Sequence, residues 1–165
     1  ADEMPYTSPR DGKPVSILGK PAETHVKLGI SLSPEGRRIL PQLTVEENLK
    51  LGAYIRDDVK GISDDMEYVY TLFPRLKERR KQKGSTLSGG EQQRCAIARA
   101  IVVENDLLLA DEPTGALDKR NGESIMDIFC RLNKEGKTIV MVTHDEKIAS
   151  YAGRIVKIED GRVIG

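Results

Sequence analysis

Residues 107–113 read Leu107-Leu108-Leu109-Ala110-Asp111-Glu112-Pro113. Four consecutive apolar residues do not alternate with polar ones, so the run predicts a strand covered on both faces, as in a parallel sheet. Its C-terminal end delivers two adjacent carboxylates to the edge where open α/β sheets bind ligands. One use of such a pair is Mg²⁺ coordination by Asp111, direct or through water, with Glu112 polarising an attacking water. The plainer alternative is a solvated Asp-Glu turn after a core strand, and taken alone the heptapeptide favours it.

Working outward, the chain from residue 106 alternates strand, helix, strand, helix, strand. Residues 119–133 carry helical spacing, with Ile125, Ile128, Phe129 and Leu132 on one side. Thr138–Val142 predicts a second buried, β-branched strand. A short helix at 145–151 follows, and 154–158 turns at Asp160-Gly161 into 162–164. Upstream, Gly29–Ser33 is a short apolar strand candidate. Thr44 with Glu47 forms a capping box that opens a helix to about Tyr54, and a helical stretch over 64–73 stops at Pro74. The first 27 residues, with four prolines, predict loops and one short strand near Pro14–Leu18. Strands alternating with helices imply an α/β fold with a parallel sheet. No internal repeat is present.

Three further segments carry chemistry. Leu87-Ser88-Gly89-Gly90-Glu91 precedes an apolar helical run, and Ser88 with Glu91 is again a capping box. A helix N-terminus with a hydroxyl and bare glycine amides suits a phosphate; an ordinary turn before a helix fits those few residues equally well. His144 follows the strand Thr138–Val142 and can reach the same crevice as Asp111 and Glu112, to hold a phosphate or a water, although a lone loop histidine is the commoner case. Asp118, in Gly115-Ala116-Leu117-Asp118, is a candidate N-cap for the next helix. His25, in an unpatterned segment, is assigned a structural role.

Composition bounds the rest. The chain has 165 residues with 26 basic against 26 acidic side chains, which argues against a dedicated nucleic-acid binder. The basic run RLKERRKQK at 75–83 is expected to be a solvated helix face, with a nucleic-acid patch the minor alternative. No stretch approaches the roughly 18–20 apolar residues that span a bilayer. The first residues, Ala1-Asp2-Glu3-Met4-Pro5, show no signal-peptide pattern. Cys95 and Cys130 alone imply no disulfide framework and point to a reducing compartment.

Taken in order, Ser-Gly-Gly-Glu-Gln, the apolar strand with Asp-Glu-Pro, Ala-Leu-Asp and Thr-His-Asp closely resemble the ATP-binding-cassette (ABC) ATPase family. In that family Leu87–Gln93 matches the signature motif and Leu107–Glu112 the Walker B strand with its catalytic glutamate. Ala116–Asp118 matches the D-loop and His144 the switch histidine. The resemblance implies a P-loop NTPase-type parallel sheet with a helical subdomain, incomplete at the N-terminus. It divides the chain into an irregular segment 1–28 and a partial ATPase domain 29–165, with a helical subdomain at about 44–83 and a signature, Walker B, D-loop and switch-histidine core at 84–165. Two subunits would sandwich two ATP molecules head to tail. Glu112 and His144 would be catalytic, Ser88, Gly89, Gly90, Glu91 and Asp118 would contact ATP, and Asp111 and Glu35 would serve Mg²⁺. The partners implied are transmembrane permease subunits and a second ATPase subunit, with no nucleic acid, at the cytoplasmic face of the inner membrane. Residues 29–93 look like the ATPase of branched-chain amino-acid importers, and residues 94–165 like the lipoprotein-release and macrolide-export group. The N-terminal half therefore favours import; an exporter ATPase, or a non-catalytic signature-face module that pairs with an intact subunit, are the alternatives.

One element of the family is missing. A phosphate cradle has the form G-x-x-x-x-G-K-[ST] between a strand and a helix. The only Gly-Lys-Thr is Gly136-Lys137-Thr138, which has Arg131 five residues before Gly136 and joins a helix to a strand, the reverse order. Losing about four charge-assisted hydrogen bonds, at about 1.5–3 kcal/mol each, weakens nucleotide binding by about 6–12 kcal/mol, or about four to eight decades. The chain is expected to be a fragment, with a mosaic of the two groups or an imperfectly assigned sequence as the alternatives, and to be weak or inactive alone, with unpaired sheet edges beside the Walker B strand.

Overall fold

The computed structural model describes residues 5–9, 12–36 and 38–164. Strands β1 (Pro5–Thr7) and β2 (Pro14–Ser16) form a small antiparallel hairpin. Helix α1 (Ala22–Lys27) packs beside β3 (Ile30–Ser33). Proline-rich sequence gave no sign of α1, a single short helix whose His25 ring reaches back to the Ile17 carbonyl at 2.9 Å. The next elements are α2 (Val45–Lys50), α3 (Val59–Leu72), α4 (Pro74–Glu78) and α5 (Gly89–Ile101). Then come β4 (Leu107–Asp111), α6 (Lys119–Lys134), β5 (Thr138–Val142), α7 (Glu146–Ala149) and a terminal hairpin of β6 (Ile158–Glu159) and β7 (Arg162–Val163).

The expected parallel α/β sheet is present, in the order β3-β4-β5. It corrects one expectation. The Walker B strand is not beside an open edge; it is the central strand, paired on both sides. The outer edges of β3 and β5, the strands on either side of it, are the ones to which no strand is paired among the described residues. Burial corrects another. One face, with Ser33, Leu108 and Ala110, is buried against the core. On the opposite face Leu32 is 56% exposed, Val140 49% and Val142 60%. Thr138–Val142 is thus covered on one side only, because side chains alternate along a strand and no described element lies over Thr138, Val140 and Val142.

The core joins α5, contributing Cys95, Ile97, Ala98 and Ile101, to α6, contributing Ile125, Met126, Phe129 and Leu132. Ile128, expected among that stripe, is half-buried at its margin. Burial pushes the Cys95 thiol up to about 11, so it behaves as a small apolar core residue.

The helices between β3 and α5 hold together through local caps and one arginine. Thr44 and Glu47 make the capping box, Thr44 N–H donating to Glu47 Oε2 at 2.8 Å and Glu47 N–H to Thr44 Oγ1 at 3.2 Å. Helix α3 begins five residues before the apolar pattern suggested. Gly61, Asp64 and Asp65 hide its first turns, while Arg56 fastens them by donating to Asp58, to Asp65 and to the Val102 carbonyl at 3.0 Å. Of the six cations in 75–83, four are ion-paired within the chain: Arg75–Glu78, Lys77–Glu67, Arg79–Glu91 and Lys81–Glu46. That pairing suits a solvated face better than a phosphate-binding one. No helix among the described residues is long and apolar enough to cross a membrane.

The turn Leu51–Ala53 approaches α5 so closely that a Cβ on Gly52 would lie 2.2 Å from the Arg99 carbonyl oxygen. Backbone cannot yield as a flexible side chain can. Gly52→Ala is therefore expected to destabilise the chain by about 1–3 kcal/mol, read from the midpoint of urea unfolding.

Candidate functional site

The three strands end nearly flush. Ser33 lies beside Ala110, and Ala110 beside Met141, so residues two or three further on leave the sheet at one edge. Those residues are Glu35, Glu112 and His144. The Glu112 N–H donates to the Val142 carbonyl at 3.0 Å, adding one rung to the ladder before the chain turns. Glu112 then adopts φ 41°, a left-handed conformation rare outside glycine, which costs about 1–3 kcal/mol and marks a position held by its surroundings.

That turn swings the carboxylate over the end of β5. Glu112 Oε1 accepts from the His144 N–H at 3.0 Å and lies 2.8 Å from His144 Nδ1. Thr143 Oγ1 stands 3.5 Å from Oε2. With Nδ1–H donating, Nε2 has no partner among the described residues and is left for a ligand. The hydrogen bond that His144 donates to Glu112, then the charge of that carboxylate, raises the His144 pKa above the ordinary imidazole value. The sign follows: a raised pKa means the pair is stabilising while His144 is protonated, and that contribution is lost as pH rises through the raised value. His144 is 86% exposed, so this is a matter of charge state more than of stability.

A cavity of about 420 Å³ opens beside the pair, lined among others by Glu35, Gly36, Gln92, Gln93, Glu112 and His144. Of the residues expected to act, it gathers three: Glu35, Glu112 and His144. Asp111, Ser88, Gly89, Gly90, Glu91 and Asp118 lie outside its lining. Asp111 ends β4 on the sheet face that Leu109 and Val140 share, level with Val142. No cluster of three or more metal-ligating side chains occurs among the described residues.

Ser88 and its glycines begin α5 as expected. Ser88 N–H and Oγ–H donate to Glu91 Oε2, both at 2.9 Å, and Arg79 Nε lies 2.9 Å from Glu91 Oε1. Burial pushes the Glu91 carboxyl up, but the Ser88 bonds and Arg79 outweigh it and hold it below its usual range. Asp118 caps α6, accepting from the Asn121 N–H at 2.9 Å.

Two contacts that the sequence did not disclose join these parts. Gln93, 2% exposed, donates to the Pro113 carbonyl at 3.1 Å. Arg94 donates to Asn121 Oδ1, whose amide donates to Asp118 at 2.6 Å. The signal for Gln93 was an amide on the buried face of α5, in helical step with Ile97 and Ala100. In an NMR titration His144 is expected to show a midpoint above the ordinary histidine range, and Glu112→Gln to return it to that range; an unchanged midpoint would mean another group sets it.

Comparison with known proteins accords with this geometry. Residues 7–115 match the ABC transporter family. The chain is 40% identical over 149 residues to the high-affinity branched-chain amino acid transport ATP-binding protein BraG of Pseudomonas aeruginosa, covering 90% of this chain and 64% of BraG. It is 44% identical over 128 residues to the macrolide export ATP-binding/permease protein MacB of Mannheimia succiniciproducens, covering 76% of this chain and 20% of MacB. It thus spans less than two thirds of either relative. Among solved structures, the dimeric MJ0796 bacterial ABC transporter cassette superposes with TM-score 0.75 at 34% identity, over 90% of this chain and 68% of that one. The same cassette in a post-hydrolysis state bound to ADP and Pi gives 0.75 at 33% identity, over 93% and 68%. A parallel sheet ending in Glu112 and His144, with a capped Ser-Gly-Gly helix beside it, is accordingly the ABC cassette fold, and the chain belongs to the ABC transporter family as part of its ATPase domain.

Proposed function

We propose that this chain acts as an ATP-binding and hydrolysing subunit that energises a membrane ABC transporter. The observation that carries the reading is the Glu112–His144 pair, 2.8 Å apart at the end of the central strand, with Glu35 across the same cavity. Glu112 polarises the attacking water, and His144 holds the γ-phosphate through Nε2 while Nδ1 stays on Glu112. Asp111 and Glu35 would hold Mg²⁺, which when bound would supply charge neutralisation at the phosphates. Ser88, Gly89 and Gly90, outside this cavity, face nucleotide held by a second ATPase subunit, with Glu91 fixing the serine and Asp118 at the shared boundary.

The sequence holds no phosphate cradle of the G-x-x-x-x-G-K-[ST] form. In family architecture the strand before that loop lies in the sheet and the helix after it packs on the sheet. The open edge of β5 and the exposed Leu32, Val140 and Val142 are an apolar surface suited to those elements. Residues 1–28 are read as an irregular N-terminal segment with a remnant β region, 44–83 as the helical subdomain facing the permease at the cytoplasmic side of the inner membrane, and 84–165 as the nucleotide core. Solute import of the branched-chain amino-acid kind is favoured, since the similarity to BraG runs over 149 residues and that to MacB over 128.

Mixing with an intact cassette subunit tests this. Light scattering is expected to show heterodimers only with Mg·ATP, lost in Ser88→Arg, which alters an exposed position. The chain alone is expected to show no saturable ATP binding below about millimolar, given the four or more decades lost with the cradle. Micromolar binding by the chain alone, with turnover abolished in Glu112→Gln, would overturn the incomplete-site reading.

A further inference from the structure

We propose that Gln93 is a positioning residue for Glu112: its buried amide, by holding the Pro113 carbonyl, fixes the turn that aims the Glu112 carboxylate at His144. This rests on the reading that Glu112 polarises the attacking water, and adds to it the group that keeps that carboxylate in place. Gln93 is 2% exposed and Pro113 is fully buried. The Gln93 Nε2–H donates to the Pro113 carbonyl at 3.1 Å, across 20 positions of sequence. Burying an amide is costly unless it is hydrogen-bonded, so a helix face shared with Ile97 and Ala100 tolerates one only where it has a partner.

The turn after β4 shows why that carbonyl takes its donor from another element. The Glu112 N–H ends the ladder on Val142, and the Gly115 N–H closes the turn on the Glu112 carbonyl at 3.1 Å. Pro113, at the second place of that turn, has no N–H to give. Its carbonyl takes part in neither bond, and Gln93 is its one donor among the described residues. The two backbone bonds fix where the turn begins and ends; the bond from α5 fixes its tilt. Glu112 needs that hold, because a φ of 41° at a non-glycine residue persists only where the surroundings enforce it. The polar neighbours of Gln93 are engaged elsewhere: Gln92 donates to the Gly84 and Leu87 carbonyls, both at 3.2 Å, and Arg94 to Asn121. What the turn presents is a carboxylate that accepts from the His144 N–H at 3.0 Å, so that amide reports where the carboxylate stands.

The test uses the full isotope-labelled chain without nucleotide, at constant pH, and reads the His144 amide by NMR. Glu112→Ala removes the acceptor and gives that amide its unbonded shift. Gln93→Met, which keeps the side-chain length and loses the donor, is expected to move the His144 amide more than half of the way to that shift and to raise its solvent exchange about tenfold. Gln93→Glu, which sets an acceptor against the carbonyl, should move it further. The Thr138 amide, bonded to Asp106 at the far end of β5, and the Val102 amide, bonded to Ala98 in α5, should stay in place. Gln93→Asn, one methylene shorter and still polar, should act in the same direction as Gln93→Met. A His144 amide unmoved in Gln93→Met or Gln93→Asn overturns the proposal. Joint movement of the His144, Thr138 and Val102 amides also overturns it, since Gln93 would then be a core group and nothing more. In the unsubstituted chain the Gln93 side-chain amide should exchange at least about tenfold more slowly than that of exposed Gln82; equal rates overturn the proposal without any variant. Each of these failures leaves the role of Glu112 standing, whereas turnover that survives Glu112→Gln would sink that role and leave the Gln93 contact intact.

Discussion

The hydrogen bond from the Glu112 N–H to the Val142 carbonyl is the point on which the site turns. Parallel strands place residues of equal register side by side, so the last paired rung determines which side chains leave the sheet together. Because that rung lies at Glu112, the left-handed turn follows at once, and the carboxylate crosses to the backbone and ring of His144. The strain of the turn is held by three anchors: the ladder bond itself, the Gly115 N–H on the Glu112 carbonyl at 3.1 Å, and Gln93 on the Pro113 carbonyl at 3.1 Å.

Those anchors make the start of α5 and the end of β4 one mechanical unit. Gln93 and Arg94 are neighbours on α5, yet one reaches the loop after Glu112 and the other the cap of α6 through Asn121. Ser88 sits little more than one turn before them. A shift of the Ser88 end would therefore strain both contacts as well as the core that α5 shares with β4 and α6.

What was legible in the sequence was what local chemistry decides. Both capping boxes, Thr44 with Glu47 and Ser88 with Glu91, formed as read, because a hydroxyl three residues before a carboxylate satisfies the helix amides whatever surrounds them. The strand at 107–111 and the cap at Asp118 belong to the same class. Burial was less legible. Leu107–Ala110 and Thr138–Val142 look alike in composition, yet the first is central and the second an edge with one face in solvent. Apolar content says that a strand prefers cover; which element supplies it is a property of topology. Gln93, Arg56 and Arg94 were missed for a related reason, since each acts on a residue 20 or more positions away, or on a backbone carbonyl that has no sequence signature.

The zero net charge conceals how unevenly the charges are used. Around 75–83 four cations are consumed by Glu46, Glu67, Glu78 and Glu91, so a run that looks like a phosphate-binding strip is mostly self-neutralised. At the sheet edge the carboxylates of Glu35 and Glu112 share a cavity in which the titratable cation is His144. His144 keeps its proton to higher pH than an ordinary imidazole while it faces Glu112, so while it is protonated the charges of that pair offset each other and Glu35 stands beside them as a further carboxylate. An anion alone would meet Glu35 and be repelled; an anion with its cation would not.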